Sequence, residues 1–85
     1  ASYGLLLQLL AKEVNFKEGR LVGFLGDTHI YASHVDGLKE QLKREPFKLP
    51  AIKTEDFTSI FEWKYTDTKV ENYVQHPSIK FEIAV

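Results

Sequence analysis

The chain has 85 residues, 44% of them hydrophobic and 27% charged, with a net charge of −1, one Trp and neither Cys nor Met. That length holds one small domain, and that balance belongs to ordinary globular proteins rather than disordered ones. The near-neutral charge gives no bulk electrostatic reason to bind nucleic acid or an anionic membrane; no apolar run approaches the roughly 18 residues of a membrane span; and without cysteine the chain has no disulfide, thiolate metal site or thiol nucleophile.

The apolar spacing Tyr3, Leu6, Leu7, Leu10, Val14 predicts a helix over residues 3–14. Leu5 and Leu9 make it apolar nearly all round, as in a helix buried on several sides. Ser2 is placed to cap its start, Lys12 suits the dipole at its end, and Asn15 and Gly19 bracket the exit. An apolar helix directly at the start of a sequence without methionine is expected to belong to a longer chain, in which an upstream part covers it. Taken alone, the helix is expected to be over-exposed.

Residues 20–31 read as one strand interrupted at Gly26. Residues 34–45 read as a surface helix with a Val35, Leu38, Leu42 stripe, ended by Pro46. A short edge strand is expected near Ala51-Ile52-Lys53, a helical turn through Phe57–Phe61, strands near 63–65 and 70–74, a turn at Gln75-His76-Pro77, and an alternating final segment from Ile79. The mixture is α+β.

Three features carry possible chemistry. In an extended Gly26-Asp27-Thr28-His29-Ile30-Tyr31 segment, His29 and Tyr31 share a face while Ile30 turns to the core. Imidazole and phenol together offer donors and acceptors for a hydroxyl or phosphate; on spacing alone such a pair is more often an ordinary half-exposed strand. His29, His34 and His76 have neither i, i+4 spacing nor an HExxH motif, so no metal is expected. The apolar ending Ile83-Ala84-Val85 reads as a docked tail, a carboxylate ligand for a partner's groove, or, most simply, a paired strand.

Taken together, Ser2-Tyr3-Gly4-Leu5-Leu6-Leu7, the block Leu25-Gly26-Asp27-Thr28-His29-Ile30-Tyr31 with His34, Leu38-Lys39-Glu40-Gln41-Leu42 with Arg44-Glu45-Pro46, His76-Pro77-Ser78-Ile79-Lys80 and the terminal Ala84-Val85 resemble the C-terminal third of thymidylate synthases. The resemblance runs the whole length, in order. It implies the C-terminal segment of an α+β thymidylate synthase fold, with a buried helix, mixed sheet strands and a surface helix.

It also implies an activity. Thymidylate synthases methylate dUMP to dTMP, with methylene-tetrahydrofolate as carbon donor and reductant, through a cysteine that attacks the pyrimidine. They are cytoplasmic homodimers. The family's ribose-contacting His and Tyr fall on His29 and Tyr31, and its folate-closing tail falls on Ile83, Ala84 and Val85. The catalytic Cys, the nucleotide-reading Asn and the phosphate-binding arginines lie upstream in the family, so residues 1–85 alone are expected to be inactive. Ser33 stands where the family often has Asn, and Gly37 where Pro is frequent. Two rivals stay open: a deoxypyrimidine hydroxymethylase of the same fold, and a non-catalytic module that binds a partner through the Ile83-Ala84-Val85 carboxylate.

Overall fold

Residues 1–83 are described by a computed structural model. They form helix α1 (Ser2–Glu13), helix α2 (Val35–Leu42) preceded by a 3-10 turn (Ala32–His34), strand β1 (Ala51–Thr54), a second 3-10 turn (Tyr65–Asp67) and strand β2 (Thr68–Glu71). The class is α+β. The chain divides into two compact units. One joins Ala1–Gly23 to Leu49–Tyr73, and the other joins Phe24–Lys48 to the described residues from Val74 onward.

In the first unit, α1 forms where the leucine spacing places it. Ser2 is its first helical residue rather than its cap; Ala1 holds that position without a side-chain bond, and the Leu5 N–H reaches the Ala1 carbonyl at 3.0 Å. The C-terminus closes as a Schellman motif. Asn15 takes φ 56°, its N–H meets the Lys12 carbonyl at 3.2 Å, and the Phe16 N–H meets the Ala11 carbonyl at 2.8 Å. Leu9 and Ala11 are buried, whereas Leu6 and Leu10 remain 44% and 48% exposed. Gly4, Leu5, Leu7 and Gln8 are half-buried beside them, so about half the circumference of α1 is covered, and it is the Tyr3, Leu6, Leu10, Val14 stripe that stays open.

β1 and β2 pair antiparallel, with Ala51 opposite Glu71, Ile52 opposite Val70, Lys53 opposite Lys69 and Thr54 opposite Thr68. Ile52 and Thr54 are half-buried and their neighbours exposed, the period-two pattern of a sheet covered on one face. A directional chain of hydrogen bonds joins this sheet to α1. The Trp63 indole donates to the Thr68 hydroxyl at 2.9 Å, the Thr68 and Thr54 hydroxyls meet at 2.8 Å, and Thr54 donates to Gln8 Oε1 at 3.5 Å. Gln8 Nε2 in turn donates to the Ile52 carbonyl at 3.3 Å. The last two bonds are long, so most of the strength lies at Thr68.

Several expectations fail locally. Residues 20–31 form no strand, because a strand exists only with a ladder partner and none is supplied among the described residues. The strand near 63–65 is replaced by the 3-10 turn at Tyr65–Asp67, whose Asp67 carboxylate accepts the Lys64 N–H at 2.9 Å; β2 therefore begins at Thr68 rather than Val70. Phe57–Phe61 forms no helix, only a turn closed by the Glu62 N–H on the Ser59 carbonyl at 3.1 Å. No hydrogen-bonded turn marks 75–77, and 79–83 lie outside any strand. α2 stops at Leu42 because Lys43 and Arg44 tighten into i→i−3 bonds with Glu40 and Gln41. Among the described residues, no helix is long and apolar enough to cross a membrane.

Candidate functional site

The site lies in the second unit. Gly26 and Asp27 make a bend, tied by the Thr28 N–H to the Gly26 carbonyl at 3.0 Å. Tyr31 is extended, at φ −70° and ψ 145°. The chain then enters the 3-10 turn, where the His34 N–H closes on the Tyr31 carbonyl at 2.9 Å. The His29 and Tyr31 rings meet edge to face, centroids 5.6 Å apart. Alternation along an unpaired segment suffices for this: it depends on the residue's own dihedrals, not on a neighbour strand.

The ring contacts continue. Tyr31 meets His34 at 5.6 Å, and His34 meets Phe81 at 5.2 Å, all edge-on as ring quadrupoles favour. His29, Tyr31, His34 and Phe81, with Ile30 and Leu38, line a cavity of about 390 Å³. Ile30 was expected to face the core; it is 63% exposed and borders this cavity, because no sheet forms there to give it a covered face.

Among the described residues, the polar side chains that line the cavity are the two imidazoles and the phenol. His29 Nδ1 lies 3.5 Å from an Asp27 carboxylate oxygen, an exposed pair of small energetic consequence. His34 Nε2 sits 2.5 Å from the Glu82 carbonyl. A carbonyl only accepts, so Nε2 carries the proton and, in neutral His34, Nδ1 is left as an acceptor. Among the described residues, no thiol, amine or carboxylate side chain lines the cavity. Imidazole and phenol side chains offer this cavity hydrogen-bond donors and acceptors suited to a hydroxyl or phosphate.

Residues 76–82 are secured to the α2 region at two further points. The Arg44 guanidinium donates to the Pro77 carbonyl at 2.6 Å. His76 Nε2 donates to the Glu45 carbonyl at 2.8 Å, and its ring stacks on Phe47 at 4.1 Å. Ile83 follows, 88% exposed. Ala84 and Val85 lie outside the described residues. Among the described residues, no three His, Asp or Glu side chains gather to hold a metal. His34 and Phe81 were not anticipated as site residues. His34 carries a weak sequence sign, one turn beyond Tyr31, whereas nothing in the sequence ties Phe81 to either.

A family model described as thymidylate synthase matches residues 1–85. The chain belongs to the thymidylate synthase family. Thymidylate synthase of Mycoplasma pneumoniae is 45% identical over 85 residues, covering 100% of this chain and 30% of that protein. That of Francisella tularensis subsp. holarctica is 45% identical over 86 residues, covering 100% and 31%. The bifunctional dihydrofolate reductase-thymidylate synthase of Paramecium tetraurelia is 44% identical over 85 residues, covering 100% and 18%. The chain thus spans less than a third of the length of these thymidylate synthase relatives, and what the complete enzymes do rests partly on residues it does not contain.

Proposed function

We propose that residues 1–85 are the C-terminal part of a single thymidylate synthase-like domain. Together with the upstream part of the same enzyme, they serve the reductive methylation of dUMP to dTMP by methylene-tetrahydrofolate. The observation that carries this reading is the edge-to-face His29–Tyr31 pair on one cavity, inside a chain matched over its whole length by the family.

In this reading His29 and Tyr31 hydrogen-bond the deoxyribose 3′ hydroxyl. A hydroxyl is both donor and acceptor, and imidazole with phenol can serve both needs. The apolar Ile30, Leu38 and Phe81 around them limit competing water. The nucleophile comes from upstream, since this chain has no cysteine; the chain's own share is binding and closure. Ile83, Ala84 and Val85 cover the folate. Exposed Ile83 offers an apolar side chain to a ring system, and the anchoring of residues 76–82 fixes where that tail starts. Closure of this kind excludes water and completes a site. The whole enzyme is a cytoplasmic homodimer that uses no metal and binds neither nucleic acid nor membrane.

The test joins residues 1–85 to the upstream part and measures dTMP formation from dUMP and methylene-tetrahydrofolate, with the 85-residue chain alone as control. Turnover only in the joined protein is expected. A hydroxymethylated product would replace the reading with hydroxymethylation. A protein that fails to bind dUMP but binds a partner through Ile83-Ala84-Val85 would replace it with the binding module.

A further inference from the structure

We propose that His34 and Gly37 form a clamp on Phe81 and Glu82, making His34 a positioning residue that holds the chain's last segment and the Tyr31 ring in one arrangement. The consequence for a folate rests on the reading above; the clamp itself rests on geometry.

The His34 imidazole does two things. Its Nε2–H donates to the Glu82 carbonyl at 2.5 Å across 48 residues of sequence. Its ring is held edge-on by Tyr31 on one contact and by Phe81 on another, at 5.6 and 5.2 Å. Neither partner can swing away without loosening the other's support.

Gly37 supplies the second half. It lies inside α2, although glycine is the least favourable residue there after proline. An isolated helix glycine often has a packing reason, and one is present: a Cβ at this position would overlap the Phe81 ring at Cε1. Phe81 occupies space that only a residue without a side chain leaves open. A bare backbone on α2, an aromatic ring on the end segment and an imidazole donor one turn earlier together define where residues 81–82 rest.

The test uses the full-length protein and three variants: Gly37→Ala, His34→Ala and His34→Gln. Carboxypeptidase release of the C-terminal residues reports the clamp without any reference to catalysis. Calorimetric dUMP affinity and KM for methylene-tetrahydrofolate report its consequence. Gly37→Ala strengthens the helix by propensity while displacing Phe81, so far-UV dichroism holds while digestion accelerates. His34→Ala should accelerate digestion about fivefold, the factor for losing one net hydrogen bond, and raise KM for the folate. In His34→Gln the amide Nε2–H reaches the same carbonyl, so tail protection returns while Tyr31 still lacks its ring contact. Wild-type digestion rates in both Gly37→Ala and His34→Ala overturn the clamp. Accelerated digestion in a protein that binds no dUMP leaves the clamp standing and removes the proposed function instead. Should His34→Ala fail to fold, Gly37→Ala decides alone.

Discussion

Tyr31→Phe isolates one oxygen atom. The ring contacts to His29 and His34 at 5.6 Å survive in phenylalanine, and a half-exposed Tyr31 leaves no hole when its hydroxyl is removed. Under the proposed assignment of Tyr31 to the nucleotide, what disappears is one neutral hydrogen bond, a net ~0.5–1.5 kcal/mol. At 1.4 kcal/mol per decade, that is a loss of about two- to twelvefold in dUMP affinity. His29→Ala removes a second hydrogen bond and an edge-to-face contact of ~0.5–1.5 kcal/mol, so it should weaken binding further. If both side chains address one hydroxyl, as proposed, the double variant should lose less than the sum of the single losses. The assay is calorimetric titration of the full-length protein with dUMP and with 3′-deoxy-dUMP. Tyr31→Phe should weaken the first and leave the second unchanged. Equal weakening of both nucleotides would refute the assignment of Tyr31 to the 3′ hydroxyl.

Three stability predictions, each read by urea denaturation of the full-length protein, follow from the first unit. Asn15→Ala places a side chain without local hydrogen bonding at φ 56° and should cost about 1 kcal/mol or slightly more, whereas Asn15→Gly should cost nothing or stabilise slightly. Thr68→Val keeps the shape but removes the hydroxyl between Trp63 and Thr54. Stranding the half-buried indole N–H costs ~1–3 kcal/mol, with a red shift of the Trp63 contribution to the fluorescence; an unchanged Trp63 contribution would place the indole elsewhere. Lys69→Glu turns the Lys53–Lys69 cross-strand pair from repulsive to attractive, a gain of ~0.2–1 kcal/mol that should fade at high salt.

Local physics made parts of this structure readable from sequence. α1 followed from leucine spacing, and its exit from Asn15, although the left-handed backbone there was not foreseen. β1 followed from Ala51-Ile52-Lys53. The His29–Tyr31 pairing followed from extended-chain alternation, which persists without a sheet. Other parts depend on partners that the sequence does not specify. Leu21–Tyr31 has the composition of a strand, yet pairing is a property of two segments. β2 shifted toward the N-terminus because Asp67 captured the Lys64 N–H and set a turn where alternation suggested a strand. Phe81 reaches His34 and Gly37 only through tertiary folding, and no spacing rule joins positions so far apart. Gly37 was visible as an oddity inside a helix, but its reason, an aromatic ring, was not.

The unpaired segment carries a liability of its own. Val22, Phe24 and Leu25 are 60%, 93% and 83% exposed, and Leu21–Gly26 contains no charge and no proline. Such a run is a template for intermolecular β-stacking whenever it is uncovered. Arg20 and Asp27 stand at its two ends, where charges act as gatekeepers against aggregation. Neutralising either would leave the purified, folded protein almost unchanged. It would lower instead the fraction of newly made chains that escape chaperones and proteases, so soluble yield in the cell, not turnover, is where substitutions at Arg20 and Asp27 register first.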